Sequence, residues 1–133
     1  MATPRMRSPM RSPLGRAIGL GSAKEGVGHW WAQRVTAIAL VPLALWFVIV
    51  VIELAGADRS LFVDWLRHPM PAVLLILLLI ATFYHGALGL QVVIEDYLEN
   101  EALRFGMLIA MRLASIVLGV LGIVAVLKLS LGA

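Results

Sequence analysis

Between residues 72 and 94 the chain is an apolar run in which the one side chain able to carry charge near neutral pH is His85. An imidazole at lipid depth is costly, which makes it a functional candidate. Such a histidine has few roles: ligand to a metal or haem, proton relay, or partner in an interhelical hydrogen bond. Gly86 and Gly89 lie beside it and remove side chains, so a flat macrocycle can lie against the helix. A satisfied polar contact or relay is the competing reading, and the residues alone leave both open.

The same run ends in Glu95-Asp96-Tyr97. Eleven residues along a helix turn it by about 20° beyond whole turns and advance it by about 16 Å. His85 and Asp96 therefore share a face, with Gly89 and Val92 between them. A phenol, a carboxylate and a guanidinium together suit quinone chemistry, which consumes two electrons and two protons. Tyr97 can donate to a quinone carbonyl, while Asp96 and Arg34 supply further hydrogen bonds and a proton route. The plainer alternatives are an aromatic-belt role for Tyr97 and a snorkelling role for Arg34. Arg34 also suits the anionic propionates of a haem. A low-spin haem needs a second axial ligand, yet His29 and His68 both fall at interfaces, on opposite sides of the membrane. The second ligand is therefore expected from another protein chain.

Three long apolar blocks must position these residues. With 133 residues, 61% hydrophobic and 14% charged, the chain has room for one small domain and reads as an integral membrane protein. The lack of cysteine excludes disulfides and thiolate-held iron–sulfur clusters in this chain. The expected fold is all-α, a bundle of three transmembrane helices with spans at about 31–54, 71–95 and 105–131. Residues 1–25 form a basic tail, expected to be disordered, and 26–133 the membrane-anchor domain. The tail repeats Met-Arg-Ser-Pro and is rich in arginine and serine like a transit peptide. Pro4, Pro9 and Pro13 oppose the amphipathic helix a transit peptide needs, which favours a tail lying near anionic lipid.

Trp30 and Trp31 suit the headgroup belt ahead of the first span. Pro42 lies inside that span, where a kink is expected and not a break. The connection 55–70 carries charges around an apolar Leu61-Phe62-Val63 and Trp65, which suggests a short interfacial helix. Pro69 and Pro71 mark the start of the second span. In the third, Gly119 and Gly122 permit a close helix contact, and Arg112 should be paired if it lies below the surface. Basic residues concentrate in the tail, at Arg34 and at Arg104, so the N-terminus and second connection are expected in the cytoplasm and the C-terminus in the periplasm.

Two segments carry a resemblance: Gly28-His29-Trp30-Trp31-Ala32-Gln33-Arg34-Val35-Thr36-Ala37, and His85 through Tyr97 reading His-Gly-Ala-Leu-Gly-Leu-Gln-Val-Val-Ile-Glu-Asp-Tyr. Together they resemble the small hydrophobic, haem b-binding membrane anchor of succinate dehydrogenase, over about residues 26–133. The resemblance implies that His85 is an axial ligand of haem b iron, the other coming from a second membrane-anchor subunit. It implies that Tyr97 hydrogen-bonds the ubiquinone head group with Asp96 as its acidic neighbour, and that Arg34 lies near the haem propionates and quinone pocket. His29 falls near a histidine of that region. In many close relatives a histidine soon follows the Asp-Tyr pair; here Leu98-Glu99-Asn100 follows, which weakens a proton relay at this edge.

The implied function is the membrane anchor of succinate:quinone oxidoreductase, respiratory complex II of the tricarboxylic acid cycle and electron-transport chain. The chain alone would not be catalytic. Its expected partners are the second membrane-anchor subunit, an iron–sulfur subunit, a flavoprotein subunit and the lipid bilayer of a bacterial inner membrane, with no nucleic acid. A one-chain di-haem fumarate reductase anchor needs four histidine ligands, and this chain has three histidines. The alternative is a haem-free structural or assembly protein of a respiratory complex, in which His85 only bonds a neighbouring helix. A proton relay through His85 and Asp96 is a further rival, with Gln91 the one polar residue between them.

Overall fold

A computed structural model describes residues 23–132. The tandem repeat and the arginines of the basic tail lie outside the described residues. Four helices follow in order: α1 (Ala23–Glu53), α2 (Arg59–Arg67), α3 (Pro69–Tyr97) and α4 (Glu101–Leu131). Three of them, α1, α3 and α4, are long and apolar enough to cross a membrane, and no strand occurs among the described residues. The fold is the all-α, three-span bundle that the apolar blocks predict.

The helices overrun the expected spans. α1 starts at Ala23 instead of 31, and α4 at Glu101 instead of 105. Hydropathy marks where a chain enters hydrocarbon, whereas a helix ends where its terminal backbone groups find other partners. Those partners are visible. The Asn100 side chain caps α4 by accepting from the Leu103 N–H at 3.1 Å. At the other end Gly132 takes the left-handed conformation (φ 74°) and its N–H bonds the Lys128 carbonyl. α3 opens on Pro69, whose missing N–H costs nothing at a first helical position. α1 runs uninterrupted through Pro42.

The polar connection does fold into a short helix. A turn at Gly56 (φ 84°) reverses the chain after α1. α2 then buries Leu66, which is 1% exposed, and stacks Trp65 on Trp46 of α1 with ring centroids 6.2 Å apart. Its outer face carries an exposed Arg67–Asp64 pair at 3.2 Å. This helix packs on α3 and α4 and closes the end of the bundle opposite His29 and Tyr97.

α3 is the central helix. It packs against α1 on one side and α4 on the other, and α1 and α4 do not pack on each other among the described residues. The α3–α4 contact is close because Gly119 and Gly122 face Phe83 and Leu79. Three helices arranged this way enclose little. Val50, Leu66, Ala72, Ala81, Leu88 and Ile94 are the buried apolar residues among those described, while side chains such as Ile38, Val41, Leu45 and Ile116 are exposed. In water that surface would aggregate; in an integral membrane protein it meets lipid and partner helices.

Candidate functional site

His85 lies on the α1–α3 seam. α1 and α3 run in opposite directions, and Thr36 lies thirteen residues into α1 while His85 lies twelve residues before the end of α3. At a rise of 1.5 Å per residue both are about 18–20 Å from the same end of the bundle. The structure joins them: Thr36 Oγ1 and His85 Nδ1 are 2.9 Å apart. Thr36 Oγ1 also lies 2.6 Å from the Ala32 carbonyl oxygen and 3.2 Å from that of Gln33, one turn back on its own helix. One nitrogen of the imidazole is thus occupied from α1, which leaves Nε2 as the nitrogen for any further ligand.

The two glycines beside His85 have different surroundings. A Cβ on Gly89 would stand 3.8 Å from Gln33 Nε2, so Gly89 lies in the α1–α3 seam. A Cβ on Gly86 would meet nothing within 4 Å. The open side next to the imidazole is therefore at Gly86, while Gly89 faces this chain's own first helix.

At the membrane edge the expected residues are present but not gathered. Tyr97 is 82% exposed at the last position of α3, and Asp96 beside it is exposed. Arg34 packs its guanidinium over the Trp30 ring, 5.2 Å from the centroid, and forms no ion pair with Asp96 among the described residues. Each of these side chains presents hydrogen-bonding atoms outward, and a closed pocket around them requires surfaces from other chains.

Arg112, eleven residues into α4, is paired although its side chain is exposed. Its Nη2 donates to Gln91 Oε1 at 3.1 Å, and Gln91 Nε2 donates to Glu95 Oε1 at 2.9 Å. Gln91 is thereby committed toward α4, whereas His85 is committed toward α1. This divergence counts against a relay from His85 through Gln91 to Asp96. Between the two outer helices, over α3, runs an open groove of about 690 Å³ whose lining includes His29, Tyr84, Gln91, Arg112 and Phe83. Neither His85 nor Tyr97 lines it.

The sequence matches the family described as succinate dehydrogenase/fumarate reductase transmembrane subunit over residues 8–121. The match therefore reaches into the basic tail. Among curated relatives, the succinate dehydrogenase hydrophobic membrane anchor subunit of Rickettsia bellii is 39% identical over 121 residues, covering 91% of this chain and 97% of its own. That of Paracoccus denitrificans is 36% identical over 89 residues, covering 67% of this chain and 69% of its own. The succinate dehydrogenase membrane anchor subunit of Reclinomonas americana is 27% identical over 96 residues, 70% of this chain and 80% of its own.

This chain belongs to the succinate dehydrogenase membrane-anchor family.

In an anchor of this family, the donor set on α1 and α3 fits a haem edge. His85 offers a single further nitrogen, the Gly86 side is open, and Gln33, which lies against Gly89 one turn from His85, has its buried Oε1 without a hydrogen-bond partner. Buried polar atoms in folded proteins nearly always have a partner, whether protein, water or a bound group, so the Gln33 Oε1 has room for one. The residue that sequence reasoning missed in the anchor is Thr36. A threonine in an apolar helix carries no signal by itself, since its hydroxyl can bond the preceding turn. Matching depths along two antiparallel helices would have found it.

Proposed function

We propose that this anchor contributes His85 as one axial ligand of a haem b shared with a second membrane-anchor subunit. In the same reading Tyr97 and Asp96 form part of a ubiquinone site, and the surface around them docks the iron–sulfur and flavoprotein subunits of succinate:ubiquinone oxidoreductase. The observation that carries it is the imidazole held at lipid depth through Nδ1, with Nε2 left over. Magnitudes favour a ligand over an idle contact. An interhelical hydrogen bond within a membrane contributes about 0.6 kcal/mol on average. His85 Nε2 is not enclosed by this chain, and facing hydrocarbon with no partner it would cost about 1–3 kcal/mol, more than the single interhelical bond returns.

The residues divide the work by depth. His85 would supply the iron ligand, and Arg34, with Gln33 one turn from Thr36, would supply polar contacts toward the propionates. Bound haem b supplies a one-electron redox centre near the quinone site. At the edge, the Tyr97 hydroxyl donates to a quinone carbonyl while Asp96 passes protons from the aqueous side, so that the quinone takes up two electrons and two protons. The Lys/Arg distribution favours placing this edge, the N-terminus and the α3–α4 connection on the cytoplasmic side of a bacterial inner membrane, and the C-terminus in the periplasm.

One observation favours a second reading. The bond from Thr36 to His85 is also what a haem-free structural protein would use to join α1 to α3. A reduced-minus-oxidised spectrum of membranes holding the assembled complex separates the two. His85→Ala should abolish the b-type signal or convert it to high spin; an unaltered signal in assembled His85→Ala complex would place the ligand elsewhere. Tyr97→Phe should slow quinone reduction by roughly tenfold, the equivalent of one hydrogen bond of about 1.4 kcal/mol. Its haem spectrum should match wild type, and an undiminished quinone-reduction rate would remove Tyr97 from the site.

A further inference from the structure

Thr36 Oγ1 has three polar neighbours, and their chemistry dictates where the protons are. The Ala32 and Gln33 carbonyl oxygens, at 2.6 and 3.2 Å, can only accept. A hydroxyl has one proton and two lone pairs. If that proton pointed at His85 Nδ1, two oxygens would stand 2.6 Å apart with no hydrogen between them. The hydroxyl proton must therefore go to the Ala32 carbonyl. The remaining contact, 2.9 Å to Nδ1, can then be attractive only if Nδ1–H donates to a lone pair of Oγ1.

We infer that Thr36 is a positioning residue that locks His85 in the Nδ1–H tautomer and aims its Nε2 lone pair at the haem iron. This rests on the reading of His85 as a ligand. A metal-bound histidine commonly donates its second ring N–H to an oxygen, and that bond fixes the ring's rotation and raises its basicity. Here the oxygen belongs to a hydroxyl that itself donates to a backbone carbonyl, so the two bonds polarise one another in the same direction. The result is a more electron-rich imidazole, which stabilises ferric over ferrous iron. The chain from Ala32 carbonyl to Thr36 hydroxyl to His85 also ties the ligand's orientation to the helical backbone of α1. A hydroxyl on a β-branched residue suits the task because its rotamer is restricted and the i−4 carbonyl holds its proton.

The test uses the complete complex in membranes, wild type beside Thr36→Val, Thr36→Ser and His85→Ala. Thr36→Val keeps the shape and removes the hydroxyl, whereas Thr36→Ser keeps the hydroxyl. Thr36→Val should retain haem, raise its midpoint potential and alter the low-spin electron paramagnetic resonance g-values. A tenfold loss in ferric-over-ferrous preference equals a rise of about 59 mV for a one-electron couple. Thr36→Ser should restore both readouts. If Thr36→Val fails to assemble, Thr36→Ala against Thr36→Ser makes the same comparison with less bulk. Wild-type potential and g-values in a hydroxyl-less variant, with haem still lost in His85→Ala, would sink the role of Thr36 alone. A b-type spectrum surviving in His85→Ala would sink the ligand reading and this inference with it.

Discussion

The two seams of α3 are built on different principles. Toward α4 the glycine contacts are ones of shape: Gly119 admits the Phe83 ring and Gly122 the end of Leu79, with no polar group in either, and a hydrogen bond from Arg112 to Gln91 joins the two helices nearer the Tyr97 end. Toward α1 the contact carries hydrogen-bonding atoms. Thr36 meets His85, and Gln33 lies against Gly89 with its Oε1 unsatisfied. Glycine serves both seams, but on the α4 side it lets apolar side chains interlock, and on the α1 side it makes room for a polar one. In lipid there is no hydrophobic gain from bringing two helices together, so close packing and hydrogen bonds are the available forces. The two seams weight these forces differently: glycine-mediated packing dominates toward α4, with one exposed hydrogen bond beside it, while toward α1 the Thr36–His85 hydrogen bond lies in the seam itself.

That division can be broken most severely at Gly122. A Cβ there already stands 3.1 and 3.2 Å from the Leu79 methyl carbons, so the larger side chain of Gly122→Leu must push the helices apart. Overpacking of this kind costs about 1–3 kcal/mol. The amount of assembled complex should fall, and with His85 as the proposed haem ligand its haem content should fall with it, since displacing α3 displaces His85. Full assembly with normal haem in Gly122→Leu would show that the apolar seam does not depend on fit.

A milder effect is expected at Gln91, where the polar chain to Arg112 and Glu95 lies near the surface. Gln91→Leu removes two exposed hydrogen bonds and should lower stability by about 1 kcal/mol at most. The thermal midpoint of the solubilised complex should drop slightly while the haem spectrum stays as in wild type. A changed spectrum would mean that this chain of bonds communicates with His85 after all. The smallest effect belongs to Gly119→Ala. Its Cβ would meet the Phe83 ring at 3.6 Å, an ordinary van der Waals distance. Assembly and thermal midpoint should change by less than about 0.5 kcal/mol. A marked loss would reveal a closer approach at Gly119 than at Gly122.

The fold was legible to the extent that hydropathy governs it. The three apolar runs, the break at 55–70, Pro69 at a helix start and the apolar-charged mixture around Trp65 each corresponds to an observed element. Helix ends were less legible: residues 23–30 are as helical as the span that follows, because their hydrogen bonds do not depend on lipid. At the site, His85 stands out as an ionisable group in an apolar run, and Asp96 and Tyr97 follow from helical spacing. Proximity in sequence groups Gly86 and Gly89 together beside the imidazole, yet only Gly89 faces α1. Three residues along a helix leave the two about 60° apart, enough to put one in the seam and the other outside it.

The membrane spans and the depth of each polar residue are written in the order of the amino acids. In hydrocarbon every backbone group must be satisfied within its own helix, so an uncharged run of sufficient length has one available structure. Depth then follows from counting residues. Only the packed bundle decides which side chains within reach of one another meet: Thr36 with His85, Arg112 with Gln91, Gly122 with Leu79. Those pairings depend on the rotation of each helix about its axis, and rotation is set by the packing of its neighbours, which no single helix encodes.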